Sequence, residues 1–164
     1  MLVALLALAA AAQGGEAKAP VDVNKPVENP ALVRALERAS HEKSTAAKEA
    51  VLGEVRKATY LAAILSDELK TSPGKTPGSV MIEAGSLIKF IGYEKDGKNY
   101  LPLFTDWYAM RAYTKQDVNA FILRAPDAWS FVLNGNFAGV VINPAGSAFT
   151  LERPMIESLQ KTSK

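Results

Sequence analysis

A chain of 164 residues that is 48% apolar and 22% charged is long enough to bury a real core, which excludes a wholly disordered polypeptide. Its net charge of +2 is too small to argue for nucleic acid or an acidic membrane surface, and the basic residues from Arg34 to Lys57 alternate with Glu37, Glu42, Glu49 and Glu54 as on a solvated helix. Cysteine is absent, which removes disulfides, thiolate metal sites and cysteine catalysis but leaves the compartment open.

Residues 1–12 form a short apolar run with no charge before Glu16. Its length suits a signal-peptide core and is too short to span a bilayer. Ala10-Ala11-Ala12 fits the small-x-small cleavage pattern, yet no Lys or Arg precedes the run. Two readings stand: an export signal, which would make the protein periplasmic and is preferred, or a non-functional extension of a cytoplasmic protein. Residues 13–28 read as a linker, with Gly14-Gly15, Pro20 and Pro26 and no apolar period.

A folded domain is expected over residues 29–161. Asn29-Pro30 predicts an N-cap followed by proline at the first helical position, and Leu32, Val33 and Leu36 give Pro30–Ala39 one apolar face. Ser44 is the expected cap of a second helix reaching about Ala58, with Ala47, Val51, Leu52 and Val55 inward. The break at Ser40–Lys43 makes the two an antiparallel pair. Thr59–Leu65 is short and apolar, a buried strand by its length; a helix continuing from Val55 is the competing reading. Asp67–Ser79 reads as a Pro/Gly/Lys loop, followed by a short strand at Val80–Glu83.

The centre of the chain is Ser86–Asp106. Asp96-Gly97 supplies the positive φ of a type I′ turn, so the flanking residues fold back with Glu94 opposite Asn99, Tyr93 opposite Tyr100, Ile91 opposite Pro102 and Lys89 opposite Phe104. One face then carries Leu87, Ile91, Tyr93, Tyr100 and Phe104, and the other Ile88, Phe90, Leu101 and Leu103. Both faces are apolar enough to require cover. Proline has no N–H for the ladder, so pairing should bulge or end at Pro102.

Thr105 is the expected cap of a helix over Asp106–Tyr113, and Val118–Leu123 is a strand candidate. Pro126–Leu133 reads as a helix with Asp127 in its first turn and Gly135 as its stop. Phe137–Ile142 is the cleanest central strand, closed by Asn143-Pro144-Ala145-Gly146. Phe149–Leu151 is a possible edge strand and Pro154–Lys161 a terminal helix. Every Phe, Trp and Tyr except Tyr60 lies between Phe90 and Phe149, which places the main sheet there. The fold class is α+β (mixed α/β): a single compact domain with a mixed sheet of about five strands, an N-terminal helix pair and short peripheral helices.

Catalytic equipment is scarce. Gly74-Lys75-Thr76 imitates the end of a phosphate loop, but Leu69 stands where its first glycine belongs and Pro77 where its helix should start. No Gly-x-Ser-x-Gly elbow occurs. His41 is the single histidine and is read as a solvated turn residue; a zinc site built from one His and no Cys is not expected. Asp106, Asp117, Asp127, Glu152 and Glu157 remain as acid/base candidates, each with a structural explanation such as a place in a first helical turn. No cofactor, metal, nucleic acid or transmembrane helix is expected, and the chain is read as not an enzyme. A small carboxylate-dependent enzyme, or an immunity or secretion accessory, are the alternatives.

Asp96-Gly97-Lys98-Asn99-Tyr100-Leu101-Pro102-Leu103-Phe104-Thr105-Asp106 resembles the D-G-x-x-x-x-P-x-F-T-(D/S) pattern of the SseB protein N-terminal domain family. Gly139-Val140-Val141-Ile142-Asn143-Pro144 is similar to that family's hydrophobic strand ending in Asn-Pro, and the likeness spans about Asn29–Gln160. The resemblance implies a bacterial α/β domain and brings no catalytic residue with it. It also implies a cytosolic protein, from which the apolar N-terminus departs.

The reading is therefore a non-catalytic binding or adaptor module for an unknown protein or small-molecule partner. The candidate surface is Phe104, Thr105, Asp106 and Trp107, with the Asn143-Pro144 turn beside it. Pro102 would free backbone groups next to a helix N-terminus, which could then accept negative or carbonyl groups. Frequency favours Trp107 and Tyr108 as core residues, whereas partly exposed aromatics at a loop–helix junction suit binding.

Overall fold

The computed structural model describes residues 5–7, 26–65, 70–73, 80–82, 87–116 and 118–161. Strand β1 (Leu5–Ala7) precedes a pair of packed helices, α1 (Pro30–Glu42) and α2 (Thr45–Val55). Helix α1 runs past the expected Ala39 and stops where Lys43 turns left-handed at φ 48°, so His41 sits in its last turn and not in a loop. The Ser44 side chain accepts from the Ala47 amide at 3.1 Å and starts α2 as expected.

Strand β2 (Thr59–Leu65) is the inner strand that explains its own sequence. Tyr60, Ala62 and Ile64 join the larger apolar cluster, while Leu61 and Ala63 join a smaller one on the opposite face. Burial on both faces replaces polar–apolar alternation with a continuous apolar run. Two further short strands, β3 (Thr71–Pro73) and β4 (Val80–Ile82), pair antiparallel, so part of the stretch read as loop is extended. The remainder of Asp67–Ser79 lies largely outside the described residues.

The hairpin holds only near its turn. Asp96 and Gly97 have φ of 52° and 69°, and β6 (Tyr93–Lys95) pairs with β7 (Lys98–Leu103) in the expected register from Lys95↔Lys98 to Tyr93↔Tyr100. Its ladder ends there, before Pro102. The expected pairs Ile91/Pro102 and Lys89/Phe104 do not form. Instead β5 (Leu87–Phe90) leaves the ribbon and pairs with β2 through Ile64↔Phe90 and Leu65↔Lys89, and Phe104 pairs with Leu61. The opposite edge of β7 runs parallel to β9 (Gly139–Ile142), with Leu101↔Val140 and Leu103↔Ile142. Asn99 and Leu103 direct their carbonyls at the β9 side, accepting from Ala138 and Asn143 at 2.8 and 2.9 Å. By alternation Pro102 turns its missing N–H to the edge that β6 has already left.

After α3 (Trp107–Tyr113), strand β8 (Asn119–Arg124) pairs antiparallel with β2 and leads directly into α4 (Ala125–Asn134). Strand β10 (Phe149–Glu152) closes on β9, and α5 (Arg153–Lys161) ends the described chain. The result is mixed α+β in one domain, with two four-stranded sheets, β1-β5-β2-β8 and β10-β9-β7-β6, and the β3-β4 ribbon. The expected five-stranded sheet is thus two sheets, joined where Leu61 and Phe104 exchange backbone hydrogen bonds of 2.8 and 2.9 Å.

The larger core gathers residues from α1, α2, α4 and α5 against the sheets, centred on fully buried Trp129, whose ring lies 5.9 Å from that of Tyr60. Each such side chain contributes roughly 1.5–3 kcal/mol by leaving water. The smaller core, under α3, holds Val27, Leu61, Phe104 and Met110. Among the described residues, α3 is the helix on this face of the sheets, and Met110 is its buried residue.

Candidate functional site

The two motifs quoted above meet in space. Asn143 follows the last residue of β9 with a left-handed φ of 48°, a conformation that asparagine tolerates better than most residues. Its carbonyl accepts from Gly146 at 2.9 Å, which makes Asn143-Pro144-Ala145-Gly146 a β-turn with proline in its preferred second place. That turn aims the Asn143 amide at Thr105: Oδ1 accepts from the Thr105 N–H at 3.0 Å and Nδ2 donates to its Oγ1 at 2.8 Å.

Thr105 is fully buried and every polar atom on it is used. Its hydroxyl donates to Asp106 Oδ2 at 2.7 Å, and its carbonyl accepts from Asn29 Nδ2 at 2.7 Å. Asn29 also donates to the Thr59 carbonyl and accepts from the Thr59 amide, at 2.8 and 3.2 Å. Asn29 is thus a tie between β2 and the β7–α3 corner. It makes no side-chain cap to α1, contrary to the expectation from Asn-Pro.

Asp106, not Thr105, caps α3: its Oδ1 accepts from the Ala109 amide at 2.8 Å. This corrects the idea of an open helix N-terminus waiting for a carbonyl or an anion, because the carboxylate of the chain itself occupies that position. The backbone of Phe104 is not free either, since Leu61 takes both its N–H and its C=O. Phe104 and Thr105 have no exposed surface and back the site from within. Asn143 and Pro144 are both half-buried, and Asn143 braces the corner through its bonds to Thr105.

The exposed part of the junction is aromatic. Trp107 is 43% and Tyr108 86% exposed, so neither is the core residue that frequency favours. With Asp106 they form one wall of a groove of about 550 Å³, whose other wall is Pro26, Glu28 and Arg34 from the start of α1 and the segment before it. Sequence reasoning missed that second wall by assigning Pro26–Glu28 to a linker. The available signal was Val27, an isolated apolar residue between Pro26 and Glu28, which is 6% exposed and packed in the smaller core.

The acid/base candidates are engaged separately. Asp127 pairs with Arg124 at 3.2 Å, Glu157 lies 3.9 Å from Arg153, Glu152 accepts from the Tyr100 hydroxyl at 3.0 Å, and Asp106 caps α3. Asp117 lies outside the described residues. Burial first, and then the Glu152 carboxylate, push the Tyr100 phenol above its ordinary range. Among the described residues no group of three or more His, Asp or Glu is placed to hold a metal, and no helix is long and apolar enough to cross a membrane.

A mixed α+β domain whose F-T-D corner is tied to an Asn-Pro turn is the class of protein these features define. The family described as SseB protein N-terminal domain matches residues 32–158, and the chain belongs to it. No curated protein and no solved structure matches the chain.

Proposed function

We propose that this SseB-type domain is a non-catalytic binding module that holds its partner in the groove between α1 and α3. The observation that carries the reading is the exposure of Trp107 and Tyr108 on a helix locked from behind by buried Thr105 and half-buried Asn143. Aromatics anchored on a rigid support supply contact area at small entropic cost, and the groove falls within the roughly 300–1,000 Å³ typical of ligand sites. Affinity capture with the full chain from its native host tests this. A partner retained by the natural chain and lost by W107A/Y108A, with the denaturation midpoint unchanged, supports the proposal. Equal retention removes the groove from consideration.

We read residues 1–12 as an export signal. Among the described residues, removing them would leave β5 paired with β2 alone, since β1 is its other neighbour. N-terminal sequencing of the chain recovered from the host tests this: a start after Ala12 supports export, and an intact Met1 opposes it.

A further inference from the structure

Resting on the binding reading above, we infer that the groove takes an extended peptide segment presenting a lysine or arginine side chain to Trp107, Tyr108, Glu28 and Asp106. The argument is charge complementarity on an aromatic surface. The electron-rich faces of Trp and Tyr attract cations, tryptophan most strongly. Two carboxylates line the same groove from separate elements, Glu28 before α1 and Asp106 before α3. Asp106 is held in place by the Ala109 amide and the Thr105 hydroxyl, so its charge is fixed where a ligand would meet it.

Other occupants fit less well. An acidic segment would face both carboxylates, and a purely apolar one would take water from Glu28 and Asp106 without bringing a positive charge in its place, which is costly. A long basic side chain satisfies both demands, because its stem lies along apolar surface such as Val33 while its head stays polar. Arg34, the one basic residue among the described lining, is suited to donate to a backbone carbonyl of the same peptide.

The test uses the full chain and three short peptides with blocked termini, identical except for a central lysine, norleucine or glutamate. Binding is read by NMR from the Trp107 indole N–H and the Tyr108 amide; the only other tryptophan, Trp129, is fully buried and serves as an internal control. The lysine peptide should bind about five- to tenfold more tightly than the norleucine peptide, with glutamate weakest. That preference should vanish in E28Q/D106N, where asparagine preserves the cap of α3. Norleucine or glutamate binding as tightly as lysine would overturn the cation while leaving the groove a binding surface. No lysine-dependent shift at about millimolar peptide would also overturn it. Shifts produced by concentrating the protein alone would assign the groove to a second copy and overturn it as well. Failure of the binding reading itself is separate, being read from partner retention by W107A/Y108A.

Discussion

Asn143 and Thr105, 38 residues apart, exchange a pair of side-chain hydrogen bonds of 3.0 and 2.8 Å that fix the end of β9 to the start of α3. Replacing Asn143 by Ala removes both, orphans the buried Thr105 amide and puts at φ 48° a residue that tolerates the left-handed region less well than asparagine. The expected loss is about 2–4 kcal/mol in chemical denaturation. Asn143→Gly relieves the backbone but not the lost bonds and should recover about 1 kcal/mol of it.

Gly139 is required by a close approach. A Cβ there would stand 2.1 Å from the Leu151 carbonyl oxygen, on backbone that cannot swing aside. Gly139→Ala should therefore force β10 away from β9 and destabilise the domain by roughly 2–4 kcal/mol, with the earliest loss of amide protection in β10.

Arg153 closes the C-terminal end of α4. Its Nη1 donates to the carbonyls of Val132, Gly135 and Phe137, each at 3.2 Å, and Nη2 donates to Leu133. The planar fork gathers carbonyls of the last turn of α4 and of the residues just beyond it, and Val132 accepts from the Gly135 N–H as well. Arg153→Met keeps the stem and should cost about 1.5–3 kcal/mol, while Arg153→Lys, with no fork, should recover less than half.

Tyr60 predicts alkaline behaviour. Its hydroxyl donates to the Val55 carbonyl at 2.9 Å, and burial raises its pKa far above the ordinary tyrosine value. Because the folded-state value is the higher one, the stability contribution is complete below the unfolded pKa of about 10 and is lost as pH rises above it. Burial shifts Tyr100 and Tyr113 the same way, so the natural chain should lose stability steeply in that window. Tyr60→Phe should cost about 0.5–1.5 kcal/mol at neutral pH and flatten the alkaline slope without abolishing it.

Elements bounded by their own chemistry were legible in the sequence: the Ser44 cap, the Asp96-Gly97 turn, and the apolar run of β2. Side-chain faces along the hairpin were also legible, because alternation does not depend on the partner; Phe90, Leu101 and Leu103 share the larger core, and Ile91 packs with Phe104 on the other. Partner choice was not. That β5 abandons β7 for β2 depends on contacts with a strand more than 20 residues earlier in the chain, and no local pattern near Gly92 encodes it. The candidate site was half legible. Motif residues such as Thr105 and Asn143 stood out because a buried polar network needs those side chains, but such a network lies beneath a surface. Of the surface itself, Asp106 and Trp107 were legible, whereas Pro26 and Glu28 were not, because their place follows only from the packing of Val27.

Hydrogen exchange on the chain bound to a partner captured from its host tests the central claim most directly. The account predicts new protection confined to residues 26–34 and 106–110, the two walls of the groove. Protection concentrated on β8 or α5, with Trp107 and Tyr108 exchanging as in the free chain, would contradict it.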